Sequence, residues 1–400
     1  MADIPRLEGR DIVCVGFADW DADLWTNQQH LMSRLAHSNR VLFVESLGLR
    51  RPQLAGRDLR RIVKRLRAGL RGPRAVDGLH VLSPLVLPFH GSATAHMLNR
   101  RLLPALVRRA ARGLDFHSPI LWAYVPQAEA LLDVLNPGLV VYHCVDDIAA
   151  QPGIDAAGFR AAERRFAVRA DLVLASAPAL AERMSKLASN VIYAPNVADT
   201  DLFATALDPG PVDPALAELG HPLIVFTGAV VATKLDVGLL VALARARADW
   251  SFVLVGPIGA GDPRTNVSAL AAEPNVHLLG QRSYEQLPSV LRGADVGLIP
   301  YARNRLTDSI FPMKVYEYLA AGLPVIATPL PALAGLKEVA TAPDATGMAE
   351  LIDEALSEDS REHRRERSRR AATSSWDLRI QEIAAAVDAL PARVAERSAR

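Results

Sequence analysis

The chain has 400 residues, half of them hydrophobic, which is enough for about two domains with a core each. Its 45 lysine and arginine residues nearly cancel its 44 acids, and the formal net charge of +1 excludes a global pull on nucleic acid. The two cysteines, Cys14 and Cys144, sit far apart in apolar runs, as reduced core residues do, and suggest neither a disulfide nor a metal site.

In chain order, MADIPRLEGRD opens the sequence without the apolar core of a signal peptide. No apolar stretch approaches the roughly 18–20 residues that span a bilayer, so a cytoplasmic protein is expected. Short β-rich runs then alternate with helical patterns. The runs are Asp11–Phe17, Arg40–Glu45, His80–Leu82, Pro119–Tyr124, Leu139–Cys144, Leu172–Ser176 and Asn190–Tyr193. A stretch rich in proline, aspartate and alanine after Asn196 reads as a domain boundary. Alternation restarts with Leu223–Thr227, Ser251–Val255, Val276–Leu278, Val296–Ile299 and Pro324–Thr328, and an amphipathic helix begins near Trp376. Alternating strand and helix argues for parallel sheets covered by helices. The expected architecture is α/β, with two Rossmann-like domains whose parallel sheets face a cleft. The expected bounds are 1–198, 199–375, and a C-terminal helix and tail over 376–400.

Three stretches of the first half carry chemistry. In WDADLWTNQQHLMSRLA, Trp25 to Gln29 should open a helix with Leu31, Met32 and Leu35 on its buried face. Asp21, Trp25 and Gln28 are candidates for contact with an acceptor; a polar loop and helix cap is the plainer alternative. The stretch Arg50–Arg74 has many basic residues and a single acid, Asp58, and its apolar residues fall at helical spacing. That pattern, centred on a basic helix over 58–71, fits either a solvated face or an anionic membrane surface. Arg100, Arg101, Arg108, Arg109 and Arg112 continue the theme. In VVYHCVDDIAAQPG a buried strand ends at a cluster of proton acceptors. Transfer to a hydroxyl requires removal of a proton. Asp146 is the first candidate for that role, Asp147 the second and His143 the third, against a helix-capping aspartate and a core histidine. Glu163 is expected at a surface or between the domains rather than in catalysis.

The stretch FPMKVYEYLAAGLPVIATPLP is the most informative. Pro312 suits the first position of a helix, and Gly322 can take the left-handed conformation that ends one. Free N–H groups and half a positive charge at a helix start attract phosphate. Phe311, Pro312, Met313 and Lys314 occupy that start, and Lys314 adds a full charge. Glu317, one turn on, suits the hydroxyls of a sugar or ribose. The alternative is a surface Lys–Glu pair.

This segment resembles the donor site of GT-B glycosyltransferases of family 4 and their relatives, including teichuronic acid and exopolysaccharide types. FTGAVVATKLDVGLL resembles the first strand and loop of the donor domain, and the resemblance implies that Gly228 lets the chain approach phosphate and that Lys234 supplies charge. VHLLGQRSYEQLPSVLRGADVGLIPY resembles the segment around the nucleotide base, which implicates Arg282 and Tyr284. Where many members carry a glutamate eight positions before the helix glutamate, this chain has Ser309, beside Asp308. The family implies a nucleotide-sugar donor of UDP or GDP type and no bound metal or other cofactor. The implied reaction moves a sugar to a hydroxyl of a glycan or lipid-linked acceptor; the basic helix over 58–71, where read as a membrane-docking face, would place it at the inner face of the plasma membrane. An epimerase on the same fold and an inactive nucleotide-sugar-binding subunit are the competing readings. VCVGFADWDAD lacks the G-x-G-x-x-G of a dehydrogenase.

Overall fold

The run DIVCV is almost wholly apolar and free of turn formers. In the computed structural model it forms β1 (Asp11–Val15), buried along its whole length. The structure describes residues 7–46, 72–84, 93–262 and 264–390, with the main chain alone over 93–100. The basic helix expected over 58–71 lies outside the described residues.

In the first sheet β1 is flanked by β2 (Arg40–Val44) and β5 (Ile120–Ala123). Beyond β2 lie β4 (Leu79–Leu82) and then β3 (Arg74–Val76) at the edge; beyond β5 lie β6 (Leu139–Cys144), β7 (Leu172–Ala175) and β8 (Val191–Tyr193). Every pairing is parallel except β3 with β4. β1, β5, β6 and β7 are buried throughout, as strands covered on both faces must be.

The second sheet has the order β11 (Val276–Gly280), β10 (Ser251–Val255), β9 (Leu223–Thr227), β12 (Val296–Ile299), β13 (Val325–Ala327), β14 (Val339–Thr341). All its pairings are parallel. The sheet order turns around at β9, with β10 on one side and β12 on the other. The crevice at the carboxyl ends of such neighbours is where open α/β sheets hold ligands.

By contacts the chain divides into one unit of Met1–Pro195 with Ile380–Arg400 and a second of Asn196–Arg379. The helix Trp376–Asp388 crosses that division along the chain. The alternation of strand and helix holds in both units. Two edge strands have no counterpart in the sequence reading. β3 begins at Arg74, where the basic stretch ends, and β14 is three residues long. Among the described residues no helix is long and apolar enough to cross a membrane.

Candidate functional site

The carboxyl end of β9 is tied to the helix Lys314–Ala320 by two side-chain features. Tyr318 Oη accepts from the Thr227 N–H at 2.7 Å and lies 3.2 Å from Thr227 Oγ1. The Tyr318 side chain packs against β12, where a Cβ on Gly297 would come within 2.4 Å of its ring. The helix begins two residues later than Pro312 suggests: Met313 caps it, and Pro312 precedes the cap with its carbonyl accepting from Val315. Its end is the expected one. Gly322 has φ +81, and its N–H and that of Leu323 donate to Leu319 and Tyr318, the paired bonds of a Schellman motif.

This geometry sets the Lys314 ammonium beside Gly228. A Cβ added to Gly228 would meet both Cε and Nζ of Lys314 at 2.6 Å, and Nζ sits 5.4 Å from the centre of the Phe226 ring. Gly228 has φ +119 and Gly256 φ +153, values that only glycine adopts readily. A Cβ on Gly256 would fall 2.0 Å from the Gly228 carbonyl oxygen, so the ends of β9 and β10 approach as closely as backbones can. Glu317 is buried, 6% exposed, on the same helix. Burial pushes its carboxyl up to about 6, against the pull of Lys314.

The loop that carries Lys234 is pinned to the chain after β12. Ala302 N–H donates to the Lys234 carbonyl at 2.8 Å, and Asn304 Nδ2 to the Thr233 carbonyl at 3.1 Å. Phe311 is buried, its ring stacked on Tyr316 at 5.5 Å and its carbonyl accepting from Asn196 Nδ2 at 2.8 Å. Ser309 is buried in a turn, and Asp308 beside it is half-buried. Arg282 turns to the buried Asp213 at 2.6 Å. Tyr284 packs edge-on against Phe203 at 5.3 Å. The structure thus gathers Gly228, Lys314 and Glu317, while the Arg282 and Tyr284 side chains are engaged with neighbours of their own.

In the first unit, the helix Asn27–Leu35 starts at Thr26, whose N–H donates to Gln29 Oε1 at 3.0 Å. Leu31, Met32 and Leu35 are buried as expected, and so are Asn27, Gln28, Gln29 and His30. Gln28 Oε1 accepts from the Phe17 N–H at 2.9 Å, which closes the turn after β1. Asn27 Oδ1 accepts from Tyr124 Oη at 2.9 Å, at the end of β5. Burial, reinforced by Arg34, holds the His30 imidazole down at about 3. Trp25 stays 37% exposed between Trp20 and His30. Asp21 is exposed and pairs with Arg74 at 2.7 Å.

After β6, Asp146 is half-buried and Asp147 buried. Both Asp147 oxygens accept from Arg160 Nη2 at 2.5 Å. Arg160 also reaches Glu163 at 3.0 Å, and Glu163 pairs with Arg183 and accepts from Tyr142 Oη at 2.9 Å. Glu163 is therefore not a surface residue. At 1% exposure it is the centre of a buried two-acid, two-arginine cluster that fixes the turn after β6. A single glutamate in the arginine-rich AAERRFAVR gives no local signal of that role. His143 is buried and stacked on Tyr124 at 4.9 Å.

Comparison with known proteins places the second unit in a family and shows the fold of the whole chain. Residues 221–358, which contain Gly228, Lys234, Arg282, Tyr284, Lys314 and Glu317, match the family described as Glycosyl transferases group 1. TuaH of Bacillus subtilis (strain 168), named for teichuronic acid biosynthesis as a glycosyltransferase, is 26% identical over 261 residues. That match covers 62% of this chain and spans 65% of the relative, just under two thirds of its length. Among solved structures, HepE of Anabaena in complex with UDP-glucose covers 95% of this chain and 100% of its own, with TM-score 0.65 and 15% identity. The trehalose 6-phosphate synthase of Burkholderia multivorans covers 98% and 99%, with TM-score 0.65 and 14% identity. These likenesses show the fold, that of the GT-B glycosyltransferases.

Proposed function

We propose, from the premise that residues 221–358 form a glycosyl transferases group 1 domain, that the chain moves a sugar from a nucleotide-sugar donor to a hydroxyl acceptor. The observation that carries this reading is the Lys314 ammonium set against Gly228, with the buried Glu317 one turn on. At Gly228 the backbone is bare of side chain, so a diphosphate can lie directly against it. As the bond from the sugar to the diphosphate breaks, charge grows on the leaving oxygen. A cation already in place there lowers the barrier without reorganising. Lys234, on the adjoining loop, is the second cation. The lysines do the work a metal ion does elsewhere, and the reading assigns no cofactor. Glu317 accepts from hydroxyls of the ribose. The solved relatives that hold UDP or UDP-glucose support a uridine nucleotide as the first to test.

The acceptor's proton goes to Asp146 in this reading. Asp147 and His143 are weaker choices, because Arg160 occupies both oxygens of Asp147 and His143 lies under the Tyr124 ring. Asp21, Trp25 and Gln28 remain the proposed acceptor contacts. Gln28 acts there by holding the turn after β1, and Trp25 by its exposed ring. The acceptor is a lipid-linked or cell-surface glycan precursor met at the cytoplasmic face of the membrane, with the basic stretch over 58–71 as one point of attachment.

The test is calorimetric titration of UDP, GDP and ADP into the wild type and Glu317→Ala. One nucleotide should bind, and the variant should lose most of that affinity. If no nucleotide binds, or the variant binds as well as the wild type, Lys314 and Glu317 serve the packing of the helix alone and the reading fails.

A further inference from the structure

The helix Ala93–Gly113 has no acidic residue in its 21 positions. Its buried side is Leu103, Val107, Ala110 and Ala111. Its exposed side is Arg101, Leu102, Ala105, Arg108, Arg109 and Arg112. Those positions recur at helical spacing, so they form one stripe, about 16 Å long at 1.5 Å per residue. None of the four arginines makes an ion pair with a described residue. The reason lies in the neighbours. The chain over Pro126–Leu135 packs against this helix and carries two acids, Glu129 and Asp133. Both are taken by the helix Ala156–Arg169, Glu129 by Arg165 at 3.2 Å and Asp133 by Arg169 at 3.3 Å. Asp115, just past the helix end, pairs with His117 at 3.1 Å. Among the described residues the stripe thus has no acidic partner, and Leu102, 36% exposed, lies among its arginines.

We infer that this stripe docks on the surface of an anionic phospholipid bilayer. Arginines reach the headgroup phosphates while Leu102 and Ala105 meet the boundary with the acyl chains, as on amphipathic helices that lie in an interface. Single-stranded nucleic acid fits less well: the stripe has none of the aromatic side chains on which bases stack. This inference adds a surface to the membrane-bound acceptor read above, and its own test needs no turnover.

The test is co-sedimentation of the full chain with vesicles of phosphatidylcholine alone and with about one third phosphatidylglycerol, at low and high salt. Binding should require the anionic lipid and fall as salt screens it. Arg108→Gln/Arg112→Gln should weaken it more than about tenfold, since each basic residue near an anionic surface contributes about fivefold. Leu102→Ser should weaken it less. Arg361→Gln/Arg365→Gln, on a different basic helix, should leave it unchanged. Failure of the wild type to bind anionic vesicles overturns the inference, and so does undiminished binding by the stripe variant. Preferential capture of an oligonucleotide over vesicles overturns it as well. UDP titration of the same stripe variant separates the two readings: retained nucleotide binding with lost vesicle binding supports both, and lost nucleotide binding in the wild type sinks only the enzymatic one.

Discussion

Glu317 is a carboxyl group with almost no water around it, and that makes it sensitive to pH in two opposite ways. Burial raises its pKa from the usual 4.5 to about 6, so the folded chain holds this proton more tightly than the unfolded one. Stability from this group is full below about 4.5 and is lost as pH rises through about 6. The loss is on the order of 2 kcal/mol, since each tenfold change in proton affinity is worth about 1.4 kcal/mol. Glu317→Gln should remove it: the variant-minus-wild-type stability, from urea unfolding at pH 4.5 and pH 7, should rise by about that amount. Nucleotide affinity should run the other way. Hydroxyls donate to the ionised form, so wild-type affinity should drop as pH falls below about 6. A flat affinity profile would remove Glu317 from the site. Lys314 and Glu317 were legible in the sequence because their spacing is local, three residues on one helix. Gly256 and Tyr318 were not, because what each meets lies far away in the chain: the Gly228 carbonyl for one, Thr227 and Gly297 for the other.

The helix Lys314–Ala320 has seven residues, too few to be stable by propensity alone. It is held from outside by the Tyr318 hydroxyl on the end of β9 and by the bonds around Gly322. Tyr318→Phe leaves the buried Thr227 N–H without its acceptor, which should cost about 1–3 kcal/mol. It should also loosen Lys314 against Gly228. The measurable result is lower stability together with weaker nucleotide binding, at a position that touches no ligand in the proposed reading. An unchanged binding constant would mean that the helix is positioned by its other ties. At this scale the sequence reading succeeds where an element is long or strongly patterned. It misses β14, whose three residues carry too short a pattern. It misses β3 because the arginine run before Arg74 dominates the local composition. It takes Glu163 for a surface or interdomain residue because arginine neighbours look like solvent-facing charge, when the cluster's two cations, Arg160 and Arg183, are the partners that let it be buried.

Across the molecule, a ligand that binds only the folded second unit should raise its unfolding midpoint. At a nucleotide concentration 100 times the dissociation constant the gain is about 2.7 kcal/mol. Differential scanning calorimetry with UDP should show a rise of a few degrees for a unit of this size, and Glu317→Ala should show almost none. The parallel architecture was legible because alternation repeats twice over hundreds of residues, so single errors at strand ends do not disturb it. The order of strands within each sheet was not, since nothing local tells β5 to lie beside β1 or β12 beside β9. That order has a consequence for synthesis. In the second sheet the first strand made, β9, is central; β10 and β11 extend one side and β12, β13 and β14 the other. In the first sheet β1 is likewise central, with β2 and the β3–β4 hairpin to one side and β5 through β8 to the other. No late strand has to wedge between two early ones. As the chain leaves the ribosome, each new strand, or the hairpin as a pair, finds an open edge already waiting for it.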